Sequence, residues 1–150
     1  MGYWRMQLHP SESDIAVAHS VNSLVSGYIG LDFGKDLGNL LLWKKSEIPK
    51  GQEDYWDFAH SIQINDRVLI IAHHYPVALV RVAGQYNYIS NPNSLGVWFR
   101  HFREVDNIFY YADYITNPHK WQKLTMTDTI SPLIDQNSLS FQLIQEWLVT

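Results

Sequence analysis

The sequence contains no cysteine. That absence removes a disulfide framework, a thiolate metal site and a cysteine nucleophile together, and it fits a reducing compartment. Long apolar runs are missing as well. Nothing approaches the roughly 18 consecutive apolar residues of a membrane-spanning helix. The opening Met1-Gly2-Tyr3-Trp4-Arg5 turns polar by Gln7, without the apolar stretch of a secretory signal. Met6 stands where a myristoyl acceptor carries Ser or Thr. These absences predict a cytoplasmic protein with no membrane partner. Positive charge is also scarce: 11 Lys and Arg face 15 Asp and Glu, for a net charge of -4. Coating nucleic acid by bulk electrostatics needs a basic stripe and many phosphate contacts, so the balance argues against that mode.

What the chain has in quantity is aromatic side chains. Phe, Trp and Tyr make up 14% of 150 residues, including six Trp and nine Tyr, within a hydrophobic content of 46%. A chain of this length forms one domain and buries about two thirds of its unfolded surface, so the aromatic excess is the first functional hint. The charges are uneven. Between Arg67 and Lys123 six bases (Arg67, Arg81, Arg100, Arg103, Lys120 and Lys123) face three acids (Glu104, Asp106 and Asp113), and beyond Lys123 only Asp128, Asp135 and Glu146 occur. One mildly basic and one acidic face are expected.

Residues 3–8 alternate apolar with polar and predict a half-buried strand that His9-Pro10 ends. Ser11 to Asp14 offer N-cap chemistry for a helix over 13–26, with Ile15, Val17, Ala18, Val21, Leu24 and Val25 near a 3.6 period and Gly27 as the stop. Tyr28-Ile29-Gly30-Leu31 predicts a short strand running into Asp32 to Asn39, where two Gly in eight residues, Gly34 and Gly38, mark a candidate ligand rim. A second helix is expected over about 52–62, and Val68 to Ala72 reads as a central strand buried on both faces. A long strand over 77–89, interrupted at Gly84, extended segments over 98–111, a short strand over 121–127 and a helix over 138–148 complete the chain. Thr150 ends it without a capping Gly, and the expectation is a single domain of residues 1–150 cut from a longer protein. The class is therefore α+β: a small curved mixed or antiparallel sheet, able to curl into a barrel, with helices packed on it.

No catalytic pattern emerges. His73-His74 is the only histidine pair, and adjacent residues on a strand point to opposite faces, so they do not share an ion. HExxH, GxSxG and P-loop spacings are all absent. The expectation is a binding domain with no cofactor, no metal and no catalysis of its own. Aromatic and polar residues gather at predicted strand ends instead: Trp4, Tyr28 and Phe33, then His74 and Tyr75, then Trp98 and Arg100. Reading an extruded base needs a flat aromatic surface beside a hydrogen-bonding group, because stacking supplies about 1–3 kcal/mol per base and the polar group reads its edge. Core packing is the competing role for each of these rings.

The segments Tyr3-Trp4-Arg5-Met6-Gln7-Leu8, Gly27 to Phe33 and Gly38-Asn39-Leu40 resemble the first strand and "GYIxIGW…GDL" stretch of the EVE branch of the PUA-like superfamily, which is related to YTH domains. Ile64 to Ile70 resembles the "kxGDxVl" entry to its central strand, Val77 to Gly84 the strand that follows, and Phe102-Arg103-Glu104-Val105 a late "hxRxV" strand. The resemblance implies a PUA-like barrel and a pocket for a modified base, in a module found at the N-terminus of McrB-type modification-dependent restriction subunits. It implies a stacking wall at Phe33, an edge-reader at Asp32 and a second aromatic at Trp98. Around these, His74 would hydrogen-bond the base, Tyr28 and Tyr75 would border the pocket, and Arg100, Arg103, Lys120 and Lys123 would meet the phosphate backbone. The implied partner is nucleic acid, modified DNA favoured over RNA, within a restriction complex. An RNA-binding PUA-like module and a protein-interaction domain with an exposed aromatic patch are the alternatives.

Overall fold

The computed structural model describes residues 2–8, 13–72, 75–92, 98–111, 124 and 128–149. Strand β1 (Tyr3–Gln7) obeys its alternation: Trp4 and Met6 are buried, and the residues between them half-buried. Next come helix α1 (Ser13–Ser26), strand β2 (Tyr28–Leu31), two 3-10 turns (Leu40–Leu42 and Lys45–Glu47) and helix α2 (Asp54–Trp56), which runs into a wider π-helical turn (Asp57–Ser61). Strands β3 (Arg67–Ala72), β4 (Tyr75–Val82), β5 (Asn87–Tyr88), β6 (His101–Tyr110) and β7 (Ile130–Pro132) follow, and helix α3 (Leu139–Val149) ends the described chain.

The strands form one curled, mixed sheet in the order β2-β6-β4-β3-β1-β7, with β5 also paired to β6. β1 runs parallel to β3, and every other described pairing is antiparallel. This is the α+β class expected from the sequence. Val68, Leu69, Ile70 and Ile71 on β3 are wholly buried, as their unbroken apolar run predicts for a strand covered on both faces. Register shifts at Ile70/Ile71 and between Leu79 and Arg81 add local bend where the sheet curls.

Several elements differ from the periodicity. The strand expected over 77–89 with an interruption at Gly84 divides there into β4 and β5: the N–H groups of Ala83 and Gly84 both turn to the Glu104 carbonyl (2.9 and 3.2 Å), which shortens the first part to Val82. Helix α1 buries Leu24 and packs Val21 against the core as expected, but it also turns Ser20 and Ser23 inward and leaves Val25 exposed. The helix expected over about 52–62 tightens to α2 and its π turn, and Asn65 leaves it in the left-handed region (φ 79°). β7 has only three residues and contains Pro132, too little for a strand signature. The strand expected over 121–127 lies outside the described residues except for Leu124, which is buried. Among the described residues no helix is long and apolar enough to cross a membrane.

Asp66 anchors the entry to β3. Buried, it accepts from the Gly2 N–H (2.7 Å), Trp4 Nε1 (2.9 Å) and the Gln63 N–H (2.9 Å), tying β1 to the turn before β3. On β2, Gly30 leaves room for Phe99: a Cβ there would fall 2.0 Å from the Phe99 ring and 2.4 Å from the His101 carbonyl oxygen. Gly30→Ala must therefore push β2 off β6, and it is expected to destabilise the domain by about 1–3 kcal/mol or more. Chemical denaturation against wild type measures this, and an unchanged midpoint would contradict the close approach.

Candidate recognition site

β2 and β6 bring their ends together, with Leu31 opposite His101. The next residue out on each strand is Asp32 and Arg100, and these form a forked ion pair. Asp32 Oδ2 accepts from Arg100 Nε (2.7 Å) and the Arg100 backbone N–H (3.2 Å), while Oδ1 accepts from Arg100 Nη2 (2.8 Å) and the Gly34 N–H (2.9 Å). These four donors use the carboxylate's acceptor capacity. Arg100 also donates to the Gly34 carbonyl (2.6 Å), and its Nη1 lies 3.6 Å from Asp36. Burial works to raise the Asp32 pKa, but the Arg100 bonds and the two backbone N–H groups outweigh it and hold the carboxyl below its usual range. The expected edge-reader and the expected phosphate contact thus spend their polar atoms largely on each other.

Behind this pair lies a layer of rings. The Phe33 N–H donates to the Tyr55 hydroxyl (2.7 Å), and the two rings sit 4.6 Å apart. Tyr55 in turn packs edge-on against His101 at 4.8 Å, and Tyr86 and Tyr88 flank the same imidazole at 5.9 and 5.4 Å. The Tyr86 hydroxyl accepts from the Leu40 N–H (3.1 Å) and lies 2.7 Å from His101 Nδ1. His101 Nε2 is buried and has no hydrogen-bond partner among the described residues. Tyr88 closes the layer by donating to both carboxylate oxygens of Asp36 (2.7 and 2.8 Å), the largest cause holding that carboxyl below its usual pKa. Burial pushes the Tyr55 phenol up to about 12 and that of Tyr86 further still.

The other residues nominated from the sequence are placed elsewhere or not described. Tyr28 meets the Phe102 ring edge-on at 5.4 Å, and Trp98 meets Phe99 at 5.4 Å, beside the ring that covers Gly30. Tyr75 opens β4, but its side chain lies outside the described residues, as do His74, Lys120 and Lys123. Asp32, Phe33 and Arg100 come together. Arg103 points away from them into the body of the domain and is only 4% exposed. In the basic span, Arg81 is likewise engaged, in a forked pair with Asp106.

Arg103 leads to the feature that the sequence did not announce. Its Nη1 donates to the carbonyls of Phe58 (3.0 Å) and Ile62 (2.9 Å), and its Nε to that of Gly84 (3.2 Å). Phe58 and Ile62 belong to the end of the π turn, where carbonyls lack partners within the helix and carry its negative end. No described carboxylate pairs with this guanidinium, and desolvation lowers its pKa against the opposing pull of Asp66.

Beside Arg103 opens a cleft of about 360 Å³, within the range of small-molecule sites. Leu41, Ala59, Ile62 and Ile64 give it apolar walls, and His60, Gln63, Gln85 and Tyr86 share its lining with Arg103. His60 is held rigid by stacking on Trp56 (3.8 Å, 22° between planes) and by the Leu40 carbonyl 3.3 Å from Nε2. A carbonyl only accepts, so Nε2 carries the proton. The Gln63 side-chain amide donates to the carbonyls of His60 and Ser61 (both 3.3 Å), leaving its own oxygen as an acceptor. Of the residues nominated from the sequence, Arg103 alone lines this cleft. The signal that could have found it is the spacing Tyr86-Asn87-Tyr88 after the Gly84 bend, facing His101 and Arg103 on β6. Such a site suits a flat ligand with a polar edge. Among the described residues no group of His, Asp and Glu is arranged to hold a metal ion.

No protein-family model matches the sequence, and no curated protein matches it.

Buried His101 makes the fold acid-sensitive. Desolvation lowers its pKa from the usual 6.5 to about 4, so the folded domain keeps it neutral. The unfolded chain takes up the proton first as pH falls, so this contribution is complete above pH 6.5 and drains away towards pH 4. Denaturation across that window is expected to show a loss of about 3 kcal/mol in the wild type. His101→Gln, less stable throughout, should lack that slope, and an equal slope in both proteins would remove His101 as its source.

Proposed function

We propose that this chain is a PUA-like, EVE-type reader domain that takes an extruded, modified base of DNA into the cleft beside Arg103. It has no catalysis of its own and acts in the cytoplasm as the specificity module of a modification-dependent restriction complex. The observation that carries this reading is the cleft itself, with apolar walls, amide groups from Gln63 and Gln85 and one cation converging on about 360 Å³. Extruding a base costs a few kcal/mol, which apolar contact with its faces and hydrogen bonds to its edge offset. The resemblance of the strand and loop motifs to EVE domains and the curled mixed sheet both support the same reading.

The phosphate contacts are assigned differently from the sequence expectation, since Arg100 and Arg103 are engaged within the domain. Lys35, Lys44, Lys45 and Lys50 are all exposed and lie on the 35–50 segment that also supplies the cleft wall Leu41. A second reading, as a protein-interaction module, draws on Leu41 and Leu42, which are 50% and 82% exposed beside the same cleft.

A binding titration with one modified duplex, its unmodified counterpart and the matched RNA tests the proposal. The modified duplex should bind best. Lys44→Ala and Lys45→Ala should weaken modified and unmodified DNA alike and flatten the salt dependence by about one unit each. No binding to any of the three nucleic acids would end the reader assignment and favour the protein-interaction reading.

A further inference from the structure

Arg103 is nine-tenths or more buried, yet one of its nitrogens is unused: Nε and Nη1 are taken up by three carbonyls, whereas Nη2 makes no hydrogen bond to a described residue. Nη2 is also not among the polar atoms sealed from solvent without a partner, and the side chain lines the cleft, so its unused donor opens there. The three carbonyls compensate the guanidinium as dipoles, and among the described residues no carboxylate forms an ion pair with it. A cation in this condition attracts an acceptor and repels a donor, and a partly dehydrated setting strengthens both effects.

We infer that Arg103 makes the cleft selective for a planar group bearing an oxygen acceptor, carried on the extruded base, over one bearing only hydrogen or a methyl group. This rests on the reader function proposed above and adds the chemistry of what is read. An anionic oxygen satisfies Nη2 best, a neutral hydroxyl less well, and a methyl group leaves the donor unpaired against an apolar surface. The apolar walls Leu41 and Ile64 hold any planar base alike and do not discriminate among substituents. Gln85, exposed at the cleft and without a described side-chain partner, is able to donate or accept and sets no preference of its own. The preference therefore falls to Arg103, the one lining group that donates only.

The test uses the full chain and one duplex sequence in which a single cytosine carries hydrogen, methyl, hydroxymethyl or carboxyl at C5, read by fluorescence anisotropy. The carboxyl duplex should bind about tenfold or more tighter than the methyl duplex, with hydroxymethyl between them. Arg103→Lys keeps a cation for the Phe58 and Ile62 carbonyls but loses the fork. It should bring the carboxyl and methyl duplexes to within about threefold of each other. Because that variant alters a buried contact, Ile64→Glu provides a second arm: a carboxylate on the exposed cleft wall competes for Nη2 and should weaken the carboxyl duplex selectively. Equal wild-type affinity for the methyl and carboxyl duplexes would overturn the inference while leaving the reader function standing. It would also be overturned if Arg103→Lys weakened all four duplexes equally and reduced the salt dependence, because Arg103 would then be contacting backbone phosphate. Absence of binding to all four duplexes and to the matched RNA would instead remove the reader function itself.

Discussion

The architecture turns on a charge that has left water. Arg103 projects from β6 beneath the π turn, where its guanidinium gathers the carbonyls of Phe58, Ile62 and Gly84 from two separate stretches of chain. A buried cation is unfavourable unless its protons are taken up, and helix-end carbonyls without partners are unfavourable too. Bringing them together answers both demands at once. It also fixes where the π turn ends relative to the sheet and where the chain bends at Gly84, and the cleft is the space left between those two positions.

The rest of the site is held by the same kind of exchange. Asp32 and Arg100 satisfy each other at the open ends of β2 and β6, and Asp36 with Tyr88 does so one layer out. These contacts make the Gly-rich loop after β2 a fixed rim. Beneath it, the imidazole of His101 takes the place of an apolar ring among Tyr55, Tyr86 and Tyr88, staying neutral because its surroundings do not solvate a charge. Asp66 plays the matching part on the far side by satisfying three N–H groups around the start of β3.

For recognition, the consequence is a division of labour. The aromatic residues closest to the expected pocket, Phe33 and Tyr55, lean on one another and on His101, and so supply rigidity. In the proposed reading, the apolar contact and edge chemistry would come from the cleft walls and amides around Arg103. Under the proposed reading, such a site would discriminate through what its buried donor finds, since leaving that donor unpaired costs more than any one apolar contact returns.

Much of the fold was legible in the sequence because it rests on local periodicity. The alternation of Tyr3 to Gln7, the unbroken run of Val68 to Ala72, the Gly27 stop and the last helix all appear where their patterns place them. The three-residue β7 was not legible, since it depends on hydrogen-bond partners supplied by a distant strand. The candidate site divides on the same line. Phe33 and Arg100 stood out by residue type at expected strand ends, Asp32 in the loop that follows β2, and Arg103 within the basic span, all of which sequence alone determines. What each does was decided by the tertiary structure: a carboxylate is an edge-reader or half of an ion pair according to whether an arginine stands opposite, and pairing Leu31 with His101 puts Arg100 there. An arginine is a phosphate contact or a buried donor according to which face of its strand meets the core, and that is set by how the sheet curls around it.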